Sequence, residues 1–353
     1  MKTSLYVVLV LLPIYTRSIV FPAQGEDPLL AILDKDKKVS FINPAGGNNT
    51  PVLESIELMS SGRGASSAID FNYKGNLIYW ADVAAHKVYS LRVGGGEQEQ
   101  QVVLGDGLGK PEGLAYDWIH KNLYISDWTE NNILVINPDT GARKTLLTDI
   151  DYPKDIEVDP RTGWLYWITG DEETARLMKS SLDGRFSEMI TDQIDYPMQL
   201  ALDHDEQRLY WTESTFSMIK SIGVNGDNLA TFYTPPYDSW DSTPTYITIS
   251  EHFVYWVQNM RKLNRIAKHG GNEVTRYVNL ERYGRKWNNR QHSFQGICVI
   301  DSRKQADSPN LCGTNNGGCS HFCLPSLPSS GRPYTCACPD GLNLSADGAT
   351  CSV

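Results

Sequence analysis

Short apolar runs, mostly with hydrophobic side chains at alternate positions, recur along this chain between turns rich in glycine, asparagine and aspartate. A period of two marks a β-strand with one buried face. One set reads Ala68-Ile69-Asp70, Gly113-Leu114-Ala115-Tyr116-Asp117, Ile156-Glu157-Val158-Asp159, Leu200-Ala201-Leu202-Asp203, Ile247-Thr248-Ile249 and Gly296-Ile297-Cys298-Val299-Ile300-Asp301. Each copy except the last is followed by a second strand carrying a tetrad. The tetrads are Tyr79-Trp80-Ala81-Asp82, Tyr124-Ile125-Ser126-Asp127, Tyr166-Trp167-Ile168-Thr169, Tyr210-Trp211-Thr212-Glu213 and Tyr255-Trp256-Val257-Gln258. They begin at positions 79, 124, 166, 210 and 255, so the repeat is 42 to 45 residues long. A period of ~40–45 residues is that of four-stranded propeller blades.

Glycine-bearing hairpin turns supply an independent count. They lie at Gly46-Gly47, Gly94-Gly95-Gly96, Gly141, Gly184, Gly226 and Gly270-Gly271, which makes six blades. The first blade has Leu29-Leu30-Ala31-Ile32 in place of a tetrad and lacks the preceding strand. Residues 296–301 are that strand without a following tetrad, so the two ends of the repeat complete each other. The expected fold is all-β, a six-bladed propeller whose ring closure removes open sheet edges.

Composition adds a second module and a compartment. At 353 residues, with 41% hydrophobic and 10% aromatic residues, the chain suits one large domain and one small one. Lys2, the apolar run Leu5–Tyr15 and the polar Thr16-Arg17-Ser18 read as a secretory signal peptide within residues 1–25, cleaved after Ser18 or after Gly25. No other segment approaches the length of a membrane span, so a secreted, extracellular product is expected. The propeller then occupies 26–305 and a small disulfide-rich module 306–353. Six of the seven cysteines, Cys312, Cys319, Cys323, Cys336, Cys338 and Cys351, crowd into the last 42 residues. So short a segment needs covalent staples, although spacing alone does not select their connectivity. Cys336-Ala337-Cys338 is too closely spaced for a structural zinc pair. A net charge of −10 argues against nucleic acid and weakly favours basic protein partners.

Catalytic signatures are missing: no Gly-x-Ser-x-Gly elbow, no His-Glu-x-x-His and no phosphate loop occur. The histidines are scattered over repeat positions, so neither metal nor cofactor is expected. The tetrads read as scaffold, with aromatic pairs filling the spaces between blades. Cys298 aligns with Ala68, Ala115, Ala201 and Thr248, which fits a buried small side chain, against an intermolecular bridge or reactive thiol. Glu157 is the misfit at that position, either a satisfied structural carboxylate or a polar group at the central channel. Asn48 and Asn343 begin glycosylation sequons. Strand order brings the start of each inner strand and the end of each tetrad strand to one face near the axis. The candidate partner-binding residues there are Lys35, Asp82, Glu112, Asp127, Trp128, Asp155, Asp171, Met198, Glu213 and Asn259. Acids around apolar anchors suit an extracellular protein ligand that is basic and partly apolar.

The tail Cys312-Gly313-Thr314-Asn315-Asn316-Gly317-Gly318-Cys319, with Cys323, Tyr334, Cys336 and Cys338, resembles an EGF-like module. More narrowly it resembles the module that follows the YWTD propellers of the low-density-lipoprotein-receptor family. The stretch from Pro111 to Trp118 and on through Asp127 is similar to that family's class B repeat, and the resemblance covers nearly the whole mature chain. Within the family the chain looks most like one unit of the Wnt co-receptor branch. The resemblance implies pairings Cys312–Cys323, Cys319–Cys336 and Cys338–Cys351, and a module packed on the propeller. The acidic calcium-binding consensus is missing from residues 307–311, so no calcium is expected there. Wnt co-receptor propellers hold a ligand asparagine with an asparagine of their own in a Trp-Pro-Asn-Gly turn. Here that turn reads Tyr196-Pro197-Met198-Gln199, and Asp34 stands where the family often has arginine. The expected function is therefore a secreted, monomeric, receptor-like or decoy binding unit, not an enzyme and not inserted in a membrane. The alternatives are a nidogen-like matrix role with laminin as partner, and a channel-metal propeller hydrolase.

Overall fold

The computed structural model describes residues 19–35, 37–49, 52–59, 66–94, 100–171, 174–235, 243–269, 273–277, 293–327 and 331–353. Residues 1–18 of the expected leader, Gly95-Gly96 and Gly270-Gly271 lie outside them. Six antiparallel four-stranded sheets form the blades. Their inner strands are Phe294–Ile300, Ser66–Asn72, Pro111–Asp117, Ile156–Asp159, Pro197–Asp203 and Pro244–Ile249, for blades 1 to 6. Blade 1 is completed by the end of the repeat region. Phe294–Ile300 pairs with Leu29–Asp34, Cys298 opposite Ala31. Each inner strand packs on the next around the ring, and that of blade 6 packs on that of blade 1.

The core is not one mass but six wedges, one between each pair of neighbouring blades. Consecutive residues of a strand face opposite sides, so each tetrad serves two wedges. Trp80 fills the space between blades 1 and 2, while its neighbour Tyr79 fills that between blades 2 and 3. Trp167 and Tyr166 do the same for the third and fourth interfaces, and Trp211 and Tyr210 for the fourth and fifth. Trp256 and Tyr255 bracket blade 6. Tyr124 keeps this rule in the looser copy, and Ile125 replaces the indole. Burying one such side chain stabilises by roughly 1.5–3 kcal/mol before packing terms. Trp211 Nε1 bonds to Glu213 at 2.9 Å. The indole nitrogens of Trp80, Trp167 and Trp256 have no partner. The tetrads ending in Asp82, Thr169 and Gln258 do not satisfy that nitrogen; Glu213 does.

Two segments outside the repeats lock onto the ring. Phe21 is buried against Phe71 and Tyr73, with ring centroids 6.3 and 6.2 Å apart. A chain starting after Gly25 loses this contact; one starting at Ile19 keeps it. At the other end, Cys312–Cys323, Cys319–Cys336 and Cys338–Cys351 staple the small module. Its Phe322 and Leu324 enter the wedge between blades 3 and 4 beside Leu165 and Leu182. Asp340 accepts from the N–H and hydroxyl of Thr145 at 3.0 and 2.9 Å. Trp118 Nε1 donates to the Ala306 carbonyl at 2.9 Å. The module is thus docked through apolar and polar contacts together.

Truncating Trp167, which is 2% exposed, to alanine is expected to cost ~3–5 kcal/mol. Thermal denaturation checks this, and an unchanged midpoint would mean the wedge does not depend on its indole. N-terminal sequencing of the exported protein is expected to begin at Ile19; a start at Glu26 would show that Phe21 is dispensable.

Candidate functional site

Loops beside the tetrads carry backbone N–H groups that no ladder reaches, and in blades 2, 3 and 5 the tetrad's last residue accepts from them. Asp82 accepts from Ala84 and Ala85 at 3.0 and 2.9 Å. Asp127 accepts from Gly109 and Lys110, both at 2.7 Å, and from Thr129 and Glu130, both at 3.2 Å. Glu213 accepts from the N–H of Asp195 at 3.0 Å and pairs with Lys220 at 3.1 Å. All three carboxylates are fully buried. Their place in the sequence pattern puts them on the expected face, but the scaffold holds them: Glu213 Oε1 takes every contact of that carboxylate, and its Oε2 is buried without a partner. Asp34 is likewise buried and accepts from Lys38 at 3.1 Å.

What the face presents comes from the loops instead. Trp128 is half-buried and meets Tyr152, centroid to centroid, at 5.0 Å. Lys110 Nζ lies 4.5 Å over the Trp128 ring and ion-pairs with Glu112. One blade on, Lys154 Nζ donates to the Pro197 carbonyl at 3.2 Å, beside Met198, which is 41% exposed. Phe216 is 58% exposed in the turn after the blade 5 tetrad. Asp171 is exposed and accepts from Thr174 at 3.0 Å. Lys35 and Asn259 are partly exposed near the blade 1–6 seam, their N–H groups bonded to Ser293 and Thr243. Of the sequence-predicted residues, Glu112, Trp128 and Met198 therefore offer surface on blades 3 and 5, with Asp155 and Lys154 of blade 4 between. Tyr152, Phe216 and Lys110 were missed. Tyr152 stands outside the tetrad pattern, at a left-handed φ of 48°, and a loop position carries no period that would single it out.

Gly113 explains how blades 3 and 4 close up at the mouth. A Cβ there would lie 2.8 Å from both the Lys154 carbonyl oxygen and Asp155 Cα. Below the mouth the axis is a cavity of about 40 Å³ lined by Asp70, Asp155, Glu157, His204, Cys298 and Lys304 among others. Strand register corrects the alignment of the inner strands: Asp70 faces Tyr79 as Glu157 faces Tyr166, so Asp70, not Ala68, shares the Glu157 position. Asp70 accepts from Phe71 and Tyr116 at 2.8 and 2.7 Å, and Asp155 accepts from Leu200 at 2.8 Å. Burial raises all three carboxyls: Asp70 to about 6, Asp155 to about 7 and Glu157 to about 8. Burial also pushes His204 down to about 4, while its Nε2 bonds the Val158 carbonyl at 3.0 Å. Cys298 is a buried free thiol held well above its ordinary pKa by burial. Among the described residues no three acidic, histidine or cysteine side chains are grouped to hold a metal ion.

Replacing Asp127 with asparagine is expected to destabilise the protein by about 2 kcal/mol or more, since an amide turns donors toward donors. Chemical denaturation is the check, and an unaltered midpoint would free this carboxylate for another role.

The comparisons with known proteins bear on the fold and on the small module. Residues 312–351 match the family described as the coagulation factor Xa inhibitory site. The vitellogenin receptor Yl of Drosophila melanogaster is 28% identical over 288 residues, covering 81% of this chain. The chain is similar to only 14% of that receptor's length. A crystal structure of a nidogen/laminin complex superposes with a TM-score of 0.64 over 78% of this chain and 99% of the matched one, at 17% identity. That likeness concerns the fold.

Proposed function

From the premise that this chain is a low-density-lipoprotein-receptor-related YWTD propeller followed by an EGF-like module, we propose that it is an extracellular unit that binds a protein ligand. The observation that carries this reading is the loop surface of blades 3 to 5. Trp128, Tyr152, Met198 and Phe216 leave apolar area in water on a rigid disc, and such anchors are the usual centres of protein recognition. Glu112 and Asp171 add acidic groups, which suit a ligand that is basic as well as partly apolar. Three disulfides fit an oxidising, extracellular compartment. Secretion, a monomeric state and a glycan at Asn343, exposed on the module's short strand Asn343–Leu344, belong to the same proposal. The Asn48 side chain lies outside the described residues.

Kinship with the Wnt co-receptor branch carries a restriction. At the turn Tyr196-Pro197-Met198-Gln199, the Gln199 side chain accepts from the Ile247 N–H at 3.0 Å and is buried. It is committed to blade 6, so the ligand is one that uses Met198 and its neighbours rather than an asparagine clasp. A matrix role, with laminin as partner, is the second reading, favoured by the likeness to the propeller of the nidogen/laminin complex. Enzymatic function has no comparable support, since the relatives are a receptor and a matrix binding protein.

A pull-down of extracellular proteins with the wild-type chain and with the double variant Trp128→Ala/Met198→Ala tests the site. At least a tenfold loss of affinity is expected, about 1.4 kcal/mol, with the melting temperature unchanged. Equal capture by both proteins would move the site to the other face or the module. Purified laminin in the same assay separates the two readings.

A further inference from the structure

The channel encloses more carboxyl than cation. Asp70 enters it from blade 2, and Asp155 and Glu157 from blade 4. Facing them are the Cys298 thiol of blade 1, the Thr248 hydroxyl of blade 6, and the His204 imidazole, which follows the blade 5 inner strand. Glu112 stands at the mouth and adds negative potential to Asp155 and to the Tyr246 phenol. Lys304 is the sole lysine or arginine lining the cavity among the described residues, and it attracts Asp70 and Glu157 through space. It is carried by the short helical turn Ser302–Gln305 after blade 1. That turn is held in place by Gln305, which accepts from the Tyr73 N–H at 2.8 Å and donates to the Phe71 carbonyl. Lys304 also lines the smaller cavity below, beside Asp203, Glu251, Asp301 and Arg303, so it forms the floor between the two spaces.

Asp155 is buried while Asp70 and Glu157 keep partial access to water; ionised together around one channel, the three carboxylates would repel one another, and one ammonium at its floor cannot neutralise them all. The unfolded chain has no such constraint. We propose that the propeller folds around protonated carboxyls lining its channel, making it an acid-tightened scaffold that loosens as pH rises past neutral.

The sign follows from proton linkage. Groups whose pKa is higher folded than unfolded keep protons that the unfolded chain gives up, so stability falls as pH rises from their unfolded to their folded values. For Glu157 and Asp155 that window runs from their ordinary range up to about 8 and about 7, and for Asp70 up to about 6. Cys298 acts in the same direction at higher pH. His204 acts in the opposite sense, but between about 4 and its ordinary value of 6.5. Above pH ~6.5 only the carboxyls and the thiol remain, so the tightening is greatest in mild acid. At neutral pH unfolding should release about 1.5 protons from the channel. A binding unit of this design keeps its shape in mild acid.

Thermal and denaturant unfolding of the whole chain between pH 6.5 and 8.5 tests this. The midpoint is expected to fall by several degrees across that range. Glu157→Gln should flatten the slope and raise the midpoint at pH 8.5. A midpoint that stays level or rises with pH, or an equal slope in the variant, overturns the proposal. Should the variant fail to fold, wild-type unfolding calorimetry in phosphate and in Tris counts the released protons directly. About one to two protons released at pH 7 sustains the proposal, and zero or net uptake ends it.

Discussion

Everything in this structure depends on two neighbouring side chains of one strand pointing in opposite directions. Because a strand alternates its faces, Tyr166 and Trp167 must enter different interfaces, and the same holds for the pairs at 79, 210 and 255. A sheet with two buried faces cannot stand alone, and each blade can satisfy both only if it has a neighbour on each side. Closure of the ring is the condition that leaves no blade with a bare face. That explains why the inner strand of blade 1 comes from residues near 300: the join is made within a sheet, by the ladder between Phe294–Ile300 and Leu29–Asp34.

Polar groups finish what the wedges begin. Asp82, Asp127 and Glu213 at the ends of the tetrads, and Asp117, Asp159, Asp203 and Asp301 after the inner strands, accept hydrogen bonds that hold the turns. The acidity of the chain is therefore largely structural at these positions. Recognition is left to the loops, where Trp128 and Tyr152 stack in the open and Lys110 ties Trp128 to Glu112. A rigid disc with variable loops separates stability from specificity, because loop residues can change without disturbing a wedge.

The axis and the module are tied to the same body by the segment that leaves the ring. From Asp301, whose carboxylate caps the next turn by accepting from the Arg303 N–H, the chain puts Lys304 under the channel and anchors Gln305 on blade 2. Ala306 and Asn310 then bond to blade 3, before Phe322 and Leu324 reach the wedge between blades 3 and 4. Channel floor and module are thus consecutive parts of one strap across the lower face.

The repeat, the blade count, the ring closure and the stapled tail were all legible in the sequence. The first three rest on periodicity, and a period of alternating burial survives in the order of residues without any coordinates; the tail rests on the crowding of six cysteines and on a family resemblance. What the period cannot convey is which polar residues are already spent. Asp127 and Glu112 look alike along the chain, yet one is fully buried beneath four backbone N–H groups and the other stands at the surface. Asp70 shows the same limit, since an offset of two residues in the alignment hid its place beside Glu157, and only strand register restored it. Local order determines strands and their repeat because alternation is a property of neighbours. Accessibility, charge pairing and the enclosed channel arise from residues tens of positions apart meeting across blades, and those distances exist only once the ring has closed.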